Sequence, residues 1–282
     1  MLQIESAGLT DVGRSRKGNE DSLFLDDTLG LYVVADGMGG HRAGEVASQM
    51  VVDTIRQCIA EYKNGESPET VEIADESLSA PANRILDIIH RANRAVFETA
   101  SETEDYQGMG STVSLLYLHD RTIVVANVGD SPIYLVHNGQ IEQISEIHTL
   151  LEEQRALDPE GSDALAEQYR HVLTRAMGVH ESVQVNVCEF PFFQDNAFVI
   201  GSDGLTDLVT PEEIRRIVES NAAEAACRCM VDLANDRGGV DNISVIVLKI
   251  VKTAKANGKV KKFISRVADG FSQITSKKEP QE

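Results

Sequence analysis

The sequence predicts an α+β fold, a four-layer α-β-β-α sandwich in which two mainly antiparallel sheets lie face to face between helix pairs. Patterns typical of strands and helices follow one another in the order strands, two helices, many strands, two helices, strand. Asn138-Gly139 between alternating runs is a strong hairpin signal, which favours antiparallel pairing. The 282 residues are 42% apolar, so one large domain can bury a substantial core.

The N-terminal part of the chain is predicted to form strands followed by two amphipathic helices. Runs typical of strands cover residues 2–8, 23–25 and 31–35. The stretch 10–22 is polar and rich in charge, as expected of a loop. Apolar residues then recur at helical spacing over about 43–63 and from 85 to about 102, with a polar loop at 64–81. The two helices are expected to pack as neighbours on one sheet face.

The rest of the chain predicts a meander of strands and a second helix pair. The strand-like runs are 113–117, 123–127, 133–137, 141–144, 183–189, 197–201 and 243–251. Thr210-Pro211-Glu212-Glu213 is a good helix start, with a Thr cap, Pro at the first position and Glu at the third. Another helix is expected over about 221–235. The mixed, polar stretch 146–178 is a candidate mobile flap, a common position for segments that select substrates.

Charge is distributed unevenly along the chain, which limits the partners to expect. The formal net charge is −19. Residues 252–282 carry eight Lys/Arg against three Asp/Glu, a net +5, which leaves −24 for residues 1–251. Such an acidic body argues against nucleic-acid binding, which needs a basic face. It fits a site in which clustered carboxylates bind divalent cations.

Cysteine content and hydropathy predict a soluble protein of a reducing compartment, most simply the cytoplasm. The four cysteines are too few and too irregularly spaced for a disulfide framework. The N-terminus lacks a charged-then-apolar leader, and no run approaches the roughly 18 apolar residues of a membrane span. We therefore expect no membrane span. A monomer is the default expectation.

Four aspartates share one local setting, because each stands beside glycine at the end of a β-rich apolar run. They are Asp36, Asp130, Asp203 and Asp241. Ordinary turn chemistry explains any one of them. Strands of one sheet system can, however, bring their ends to a common rim, and a carboxylate beside bare backbone oxygen suits Mg²⁺ or Mn²⁺. Arg16, close in sequence to Glu20 and Asp21, is the residue type best suited to clasp phosphate oxygens.

Seven short stretches of the sequence are informative when they are taken together: RKGNED (16–21), VADGMGGH (34–41), GST (110–112), NVGDS (127–131), LTRAMG (173–178), SDGLTD (202–207) and GVDN (239–242). As a set they resemble one family, the metal-dependent serine/threonine protein phosphatases of type 2C (the PPM family) in their compact bacterial form. They occur in family order at plausible spacing and cover about residues 5–250. The resemblance implies dephosphorylation of phosphoserine and phosphothreonine in proteins that a Ser/Thr kinase has phosphorylated.

The resemblance also implies a role for each matching residue. Asp36 would bridge two Mn²⁺ or Mg²⁺ ions, and Gly37 would supply a carbonyl oxygen to one of them. Asp203 and Asp241 would complete the shell of the other ion. The expected roles of the remaining site residues are a water-mediated metal contact for Glu20 or Asp21, a weaker third metal site for Asp130 with Asp203, and phosphate binding for Arg16. The residues expected to carry catalysis are Arg16, Asp36, Asp203 and Asp241.

The chemistry of such a site is coherent in itself. Two cations roughly 3.5–4 Å apart can share a water, lower its pKa and present hydroxide for in-line attack on phosphorus. They also neutralise charge on the phosphoryl oxygens, with Arg16 as a further positive clamp. The proton donor to the leaving alkoxide is expected to be metal-bound water, with His41 as the alternative, because Met38 occupies the position where many relatives carry histidine.

Two further departures from the family pattern concern substrate contacts near the flap. Pro132 stands where relatives usually carry Arg, and Ile147 precedes His148 where an Asp-His pair is usual. Two other functions compete with the phosphoprotein phosphatase. One is a non-catalytic phosphoprotein-binding module on the same fold, and the other is a metal-dependent hydrolase of small phosphoesters. Retention of the complete set Asp36, Asp203 and Asp241 favours an enzyme.

The chain is expected to divide into a catalytic domain, residues 1–251, and a basic amphipathic tail, residues 252–282. Apolar residues of the tail recur at helical spacing and are flanked by Lys and Arg. Such a stripe is typical of a helix that docks on a partner or on a membrane surface. Equally, the tail could dock on its own acidic body or stay disordered.

Overall fold

The computed structural model describes residues 2–39, 43–66, 75–157 and 169–252. Its strands form two sheets in which every pair of neighbours is antiparallel. Sheet I has the order β1-β11-β10-β7-β8. Its strands are β1 (Gln3–Asp11), β7 (Ile133–His137), β8 (Gln140–Gln143), β10 (Ala197–Gly201) and β11 (Ile243–Lys252). The turn between β7 and β8 is the predicted Asn138-Gly139 hairpin, and both residues have positive φ.

Sheet II has the order β2-β3-β5-β6-β9, with the short β4 paired to β3. Its strands are β2 (Asp21–Asp26), β3 (Leu31–Met38), β4 (Gly110–Ser111), β5 (Val113–His119), β6 (Thr122–Val128) and β9 (Asn186–Pro191). β3 and β5 read as continuous apolar runs because both of their faces are covered.

Helices cover the outer face of each sheet. The α-helices of the described residues are α1 (Ala43–Lys63), α2 (Ala80–Glu102), α3 (Leu150–Leu157), α4 (Asp203–Thr206), α5 (Pro211–Ser220) and α6 (Ala223–Asp236). α1 and α2 pack on sheet II, and α5 and α6 pack on sheet I. The predicted start of α5 is confirmed, since Thr210 and Glu213 form a reciprocal capping box with Pro at the first turn. Among the described helices, none is long and apolar enough to cross a membrane.

The core has three parts, as a four-layer sandwich requires. One lies between sheet II and its helices, one between sheet I and its helices, and the third between the two sheets. Tyr32, Leu116, Phe198 and Ile246 are fully buried in this central layer. The predicted fold class is therefore confirmed.

The boundaries differ from the predictions in two places that matter for the site. β2 begins at Asp21, so this aspartate belongs to a strand and not to the preceding polar loop. Asp21 pairs with Asp36 across β2 and β3. The sequence did not predict this pairing, because a charged residue after a polar loop does not indicate a strand. The strand predicted at 183–189 lies at 186–191. The candidate flap contains α3, and its residues 158–168 lie outside the described part of the chain, as do His41 and the tail from residue 253.

Candidate metal centre

A cavity of about 800 Å³ opens where strands of both sheets end. Asp36 lies near the end of β3 and Asp130 follows β6, both in sheet II. Asp203 follows β10, and Asp241 precedes β11, both in sheet I. The predicted site residues that line this cavity are Arg16, Glu20, Asp36, Gly37, Asp130, Asp203 and Asp241. Because each acid comes from the end of a rigid strand, the fold brings carboxylates to one place although they are far apart in sequence.

Hydrogen bonds with Ser111 and Thr112 hold the backbone of Asp36 in position, and Ser131 in turn contacts Thr112. The Asp36 N–H donates to Thr112 Oγ1 at 3.0 Å, and the Thr112 N–H donates to the Asp36 carbonyl at 2.8 Å. Ser111 Oγ donates to the same carbonyl at 3.0 Å, and Ser131 Oγ lies 2.9 Å from Thr112 Oγ1. The sequence motifs 110–112 and 127–131 thus contribute positioning groups, a role that the sequence did not reveal.

Gly37 allows three backbone segments to meet beside the carboxylates. A Cβ at this position would lie 2.0 Å from the Gly44 carbonyl oxygen and 2.6 Å from that of Glu20. The Gly37 N–H donates to the Glu20 carbonyl at 3.1 Å. Glu20 itself packs against the start of α1, because a Cβ at Gly44 would lie 2.5 Å from Glu20 Oε2. Any larger residue would push the start of α1 away from the site.

Asp21 lies beneath the cavity in a nearly solvent-free place. Its Oδ2 accepts a hydrogen bond from Ser202 Oγ at 2.9 Å. Burial, together with the charges of Asp203 and Asp241, raises the pKa of Asp21 to about 7, and the nearby hydroxyl groups of Ser244 and Ser202 act in the opposite direction. Glu20 lines the cavity, whereas Asp21 does not, and both remain candidates for the water-mediated metal contact.

The neighbouring aspartates share this tendency to hold a proton. Burial is the largest cause for each of them. It raises the pKa of Asp36 well above its usual value, with help from the charges of Asp21 and Asp203. It raises the pKa of Asp203, with help from Asp241, and raises the pKa of Asp130 to about 7, with help from Asp203. The protein alone thus leaves an excess of negative charge here that only protons or cations can neutralise.

The donor set fits hard divalent cations. Asp21 Oδ1 and Asp203 Oδ1 are buried and receive no hydrogen bond from the described residues. Buried carboxylate oxygens without partners are costly, and such groups are usually paired or coordinate a metal. Carboxylate and carbonyl oxygens are the ligands that Mg²⁺ and Mn²⁺ prefer. The observed arrangement therefore suits the ions predicted from the sequence.

Arg16 borders the carboxylates from the solvent side. Its Nη2 donates to Asp241 Oδ2 at 2.7 Å, and its side chain is half exposed. Asn242 fixes the loop that carries Arg16, because its Nδ2 donates to the carbonyls of Val12 and Gly18 at 3.0 and 2.9 Å. Its Oδ1 accepts the Glu20 N–H at 2.8 Å. One side chain therefore ties the N-terminal loop to the start of β11.

Two histidines of the flap region reach the site, and the sequence singled out a role for neither. His148 is buried, and its Nδ1 accepts the Gly129 N–H at 3.0 Å, which fixes the turn that carries Asp130. His171 lies at the cavity with Asp130 and Asp203, such that one ligand atom from each falls within 4.8 Å of the others. No motif includes His171, so only the fold could reveal it.

A second cavity of about 380 Å³ adjoins the first. It shares Asp130, His171 and Asp203 with the first cavity and is also lined by Pro132 and Ile147, the two departures from the family pattern. Most of the other residues that line this second cavity are polar or charged, among them Glu152, Arg155 and Arg170. The departures therefore lie beside the carboxylates and do not replace any of them.

Comparison with known proteins gives one consistent result. The chain matches the family model described as Protein phosphatase 2C over residues 14–240. The serine/threonine phosphatase stp of Listeria monocytogenes is 33% identical over 251 residues, which cover 87% of this chain and 96% of that protein. The protein phosphatase PhpP of Streptococcus pneumoniae is 29% identical over 254 residues, with coverages of 88% and 98%.

Solved structures show the same likeness. The serine/threonine phosphatase PstP/Ppp of Mycobacterium tuberculosis has a TM-score of 0.75 at 26% identity and covers 89% of this chain and 100% of its own. The catalytic domain of PstP in complex with two manganese ions has a TM-score of 0.74 at 27% identity, with the same coverages. Fold, carboxylate cluster and relatives together define a divalent-metal-dependent protein-serine/threonine phosphatase. The chain belongs to the protein phosphatase 2C (PPM) family, as its motifs predicted.

Proposed function

We propose that this phosphatase hydrolyses phosphoserine and phosphothreonine in protein substrates by in-line displacement at phosphorus, with two divalent cations at the carboxylate cluster. The observation that supports this most directly is the convergence of four acids with raised pKa, one buried and three half-buried, two of which have an oxygen without a partner among the described residues. When bound, the cations would supply an activated water and neutralise the phosphoryl charge.

The residues at the cavity are proposed to bind the ions and the substrate phosphate. Asp36 would contact both ions, held by its hydrogen bonds to Ser111 and Thr112. Gly37 would offer its carbonyl to one ion, while Asp203 and Asp241 would hold the other. Glu20 or Asp21 would act through bound water, and Asp130 with Asp203 would hold a weaker third ion. Arg16 would turn from Asp241 to the substrate phosphate, whose oxygens match its forked donors.

The biological setting is part of the same proposal. We infer Mn²⁺ or Mg²⁺ as the ions and a Ser/Thr kinase as the opposing enzyme, because a protein phosphatase needs a source of phosphoprotein. Four free cysteines support a reducing compartment such as the cytoplasm. Cell fractionation and the mass of the purified protein in solution test the cytoplasmic location and the expected monomer.

We further propose residues 1–251 as the catalytic domain, with 146–178 as its flap and 252–282 as an appended basic tail. β11 ends at Lys252, next to the proposed boundary. A chain ending at Lys252 is expected to keep its stability and its turnover of a phosphopeptide. A large loss of either one would place the tail within the catalytic unit.

Hydrolysis of a phosphothreonine peptide tests the central proposal. Turnover should require Mn²⁺, disappear with excess chelator, and disappear in Asp203→Ala while the fold is kept. Asp236→Ala, an exposed aspartate on α6, is the matched control and should behave as the unaltered protein. Correctly bound metal without any turnover would contradict hydrolysis and favour the phosphoprotein-binding module. Equal turnover of small phosphoesters and of the phosphopeptide would contradict protein specificity.

A further inference from the structure

His171 and two carboxylates of the metal centre form a separate cluster at the wall between the two cavities. One ligand atom each from Asp130, His171 and Asp203 lies within 4.8 Å of the others. Asp203 Oδ1 is buried without a hydrogen-bond partner among the described residues. The cluster thus combines a ring nitrogen with a carboxylate that has one oxygen without a hydrogen-bond partner among the described residues.

The two ring nitrogens of His171 face different groups. Nδ1 lies 3.8 Å from Asp203 Oδ2, and Nε2 lies 3.5 Å from Asp207 Oδ2. Asp207 is itself held by Arg170, whose Nη2 donates to Asp207 Oδ1 at 2.7 Å. A metal-ligating histidine typically donates its other ring N–H to a carboxylate, which fixes its tautomer. Asp207 is placed to accept that hydrogen from Nε2 and leave Nδ1 free to bind an ion beside Asp203.

We propose that His171 is a nitrogen ligand of the third metal position, together with Asp130 and Asp203, and that it makes this position selective for a transition ion over Mg²⁺. The inference rests on the metal binding proposed above and adds to it a ligand and a preference. Imidazole suits transition ions such as Zn²⁺ and Fe²⁺, whereas Mg²⁺ prefers oxygen and retains water.

The separations within the cluster allow this ligation. Metal–ligand bonds of roughly 2.0–2.2 Å put ligand atoms about 3–4 Å apart, so the cluster needs to close by about 1 Å. The side chain of His171 is 54% exposed, so it can shift without disturbing the core. The alternative role of His171 is that of a protonated counter-ion to Asp203 and Asp207, which needs no metal.

Ligation by His171 would connect the flap region to the metal centre. The Leu150 N–H donates to the Val172 carbonyl at 2.9 Å, and the Thr174 N–H donates to the His148 carbonyl at 2.9 Å. His171 therefore lies on a segment that is paired with the start of α3. An ion bound to His171 would hold this segment against the carboxylates that carry the other ions.

The test measures metal binding to the full chain and does not depend on turnover. Equilibrium dialysis with Mn²⁺ and separately with Mg²⁺ gives the number and affinity of bound ions. In His171→Ala, the weakest class of Mn²⁺ sites is expected to lose affinity by about tenfold or more, while Mg²⁺ binding changes less than about twofold. His180→Ala, an exposed histidine lining the same cavity outside the cluster, is the matched control and should bind Mn²⁺ as the unaltered protein does.

Nuclear magnetic resonance of the histidine ring nitrogens gives a direct second readout. Zn²⁺ should shift Nδ1 of His171, whereas Mg²⁺ should not, and Asp130→Asn should weaken the Zn²⁺ effect. Unchanged Mn²⁺ affinity in His171→Ala, or His171 ring-nitrogen signals that do not shift with Zn²⁺, would overturn the inference. Either result would support the role of His171 as a protonated counter-ion to Asp203 and Asp207. If two ions bind and His171 is not involved, this inference alone fails. If no ion binds, the proposed function fails with it.

Discussion

Asp21 is only 7% exposed, and its two carboxylate oxygens have different surroundings. Oδ2 accepts a hydrogen bond from Ser202, whereas Oδ1 receives none from the described residues. Burial is the main reason why the pKa of this group rises from 3.8 to about 7. Without a cation, the folded protein therefore keeps a proton on Asp21 at pH values where the unfolded chain has already lost it.

The first prediction concerns the stability of the metal-free protein as a function of pH. Well below pH 3.8 Asp21 is protonated in both the folded and the unfolded state, so it does not contribute to the pH dependence. As the pH rises from there to about 7, the unfolded state alone ionises, so the free energy of unfolding falls. In Asp21→Asn this fall between pH 5 and 8 should be smaller, by on the order of 2 kcal/mol.

Urea unfolding in chelator at these pH values measures the difference. Asp232→Asn on the exposed face of α6 controls for a general change of charge. Parallel pH profiles for the unaltered protein and Asp21→Asn would show that Asp21 does not retain its proton on folding.

The second prediction concerns the forked guanidinium of Arg16. Arg16→Lys keeps the charge but cannot bind two phosphate oxygens in parallel, so KM for a phosphothreonine peptide should rise by roughly tenfold, with a smaller change in kcat. Arg14→Lys in the same loop is the control, because Arg14 is not among the residues that line the cavity. Equal effects of the two substitutions would assign the change to the loop and not to phosphate binding.

Individual site residues could be predicted from the sequence where their immediate neighbours form a recognisable pattern. Asp36, Asp130, Asp203 and Asp241 stand within two residues of a glycine, after or before an apolar run, and the structure brings all of them to one cavity. The supporting groups have no such signature. Ser202 meets Asp21 across 181 positions of sequence, and Thr112 meets Asp36 across 76. Contacts of this kind depend on strand pairing and cannot be seen in a single sequence.

Among the elements, the short helix α4 depends most on the absence of a side chain. A Cβ at Gly204 would lie 2.0 Å from the Asn242 carbonyl oxygen and 3.1 Å from Asp241 Cβ. The close approach of α4 to the start of β11 sets the distance between Asp203 and Asp241. Both acids are proposed ligands of the same ion, so the geometry of this contact decides whether that ion binds.

The third prediction is that Gly204→Ala lowers Mn²⁺ affinity by about tenfold or more, because the added methyl group separates the two acids. Calorimetric titration with Mn²⁺ measures the change. Gly18→Ala is the matched control: its Cβ would meet no atom within 4 Å, and neither glycine has a left-handed backbone conformation. Wild-type affinity in Gly204→Ala would mean that the backbone moves apart without cost to the site.

Helices could be predicted from the sequence where apolar residues recur at helical spacing or where a capping motif marks the first turn. α1 has the predicted limits because its apolar face repeats over 21 residues, and α5 begins at its predicted cap. β2 was placed too late, because Asp21 and Ser22 look like loop residues. Their side chains point into polar contacts with Ser202 and Ser48, which only the neighbouring elements supply.

On the scale of the whole molecule, the site depends on contacts between the two ends of the described chain. β1 pairs with β11 in sheet I, from Asp11 opposite Ile243 to Gln3 opposite Lys252. Asn242 then fastens the loop after β1 through three hydrogen bonds. The sequence predicted two sheets and the order of strands and helices along the chain. It did not predict that the first strand pairs with the last, because local patterns carry no information about pairing between distant strands.

The fourth prediction concerns Asn242. Asn242→Ala removes three hydrogen bonds to buried or half-buried backbone groups, so the free energy of unfolding should fall by roughly 1–3 kcal/mol. Amide hydrogen exchange should also increase over residues 12–20, because the loop loses its attachment. Asn221→Ala, which removes a single side-chain hydrogen bond to Ile217 at the end of α5, is the control. Unchanged exchange over residues 12–20 would show that other contacts hold this loop.

The pairing of β1 with β11 has a consequence for the newly made protein. Sheet II is built from residues 21–191 and can assemble while the chain is still on the ribosome. Sheet I needs its last strand, which is preceded by Asp241, the partner of Arg16, and by Asn242, which holds the loop that carries Arg16. A nascent chain therefore carries half of its carboxylates in place yet has no complete site. The order of synthesis therefore delays phosphatase activity until β11 has been made and has paired with β1.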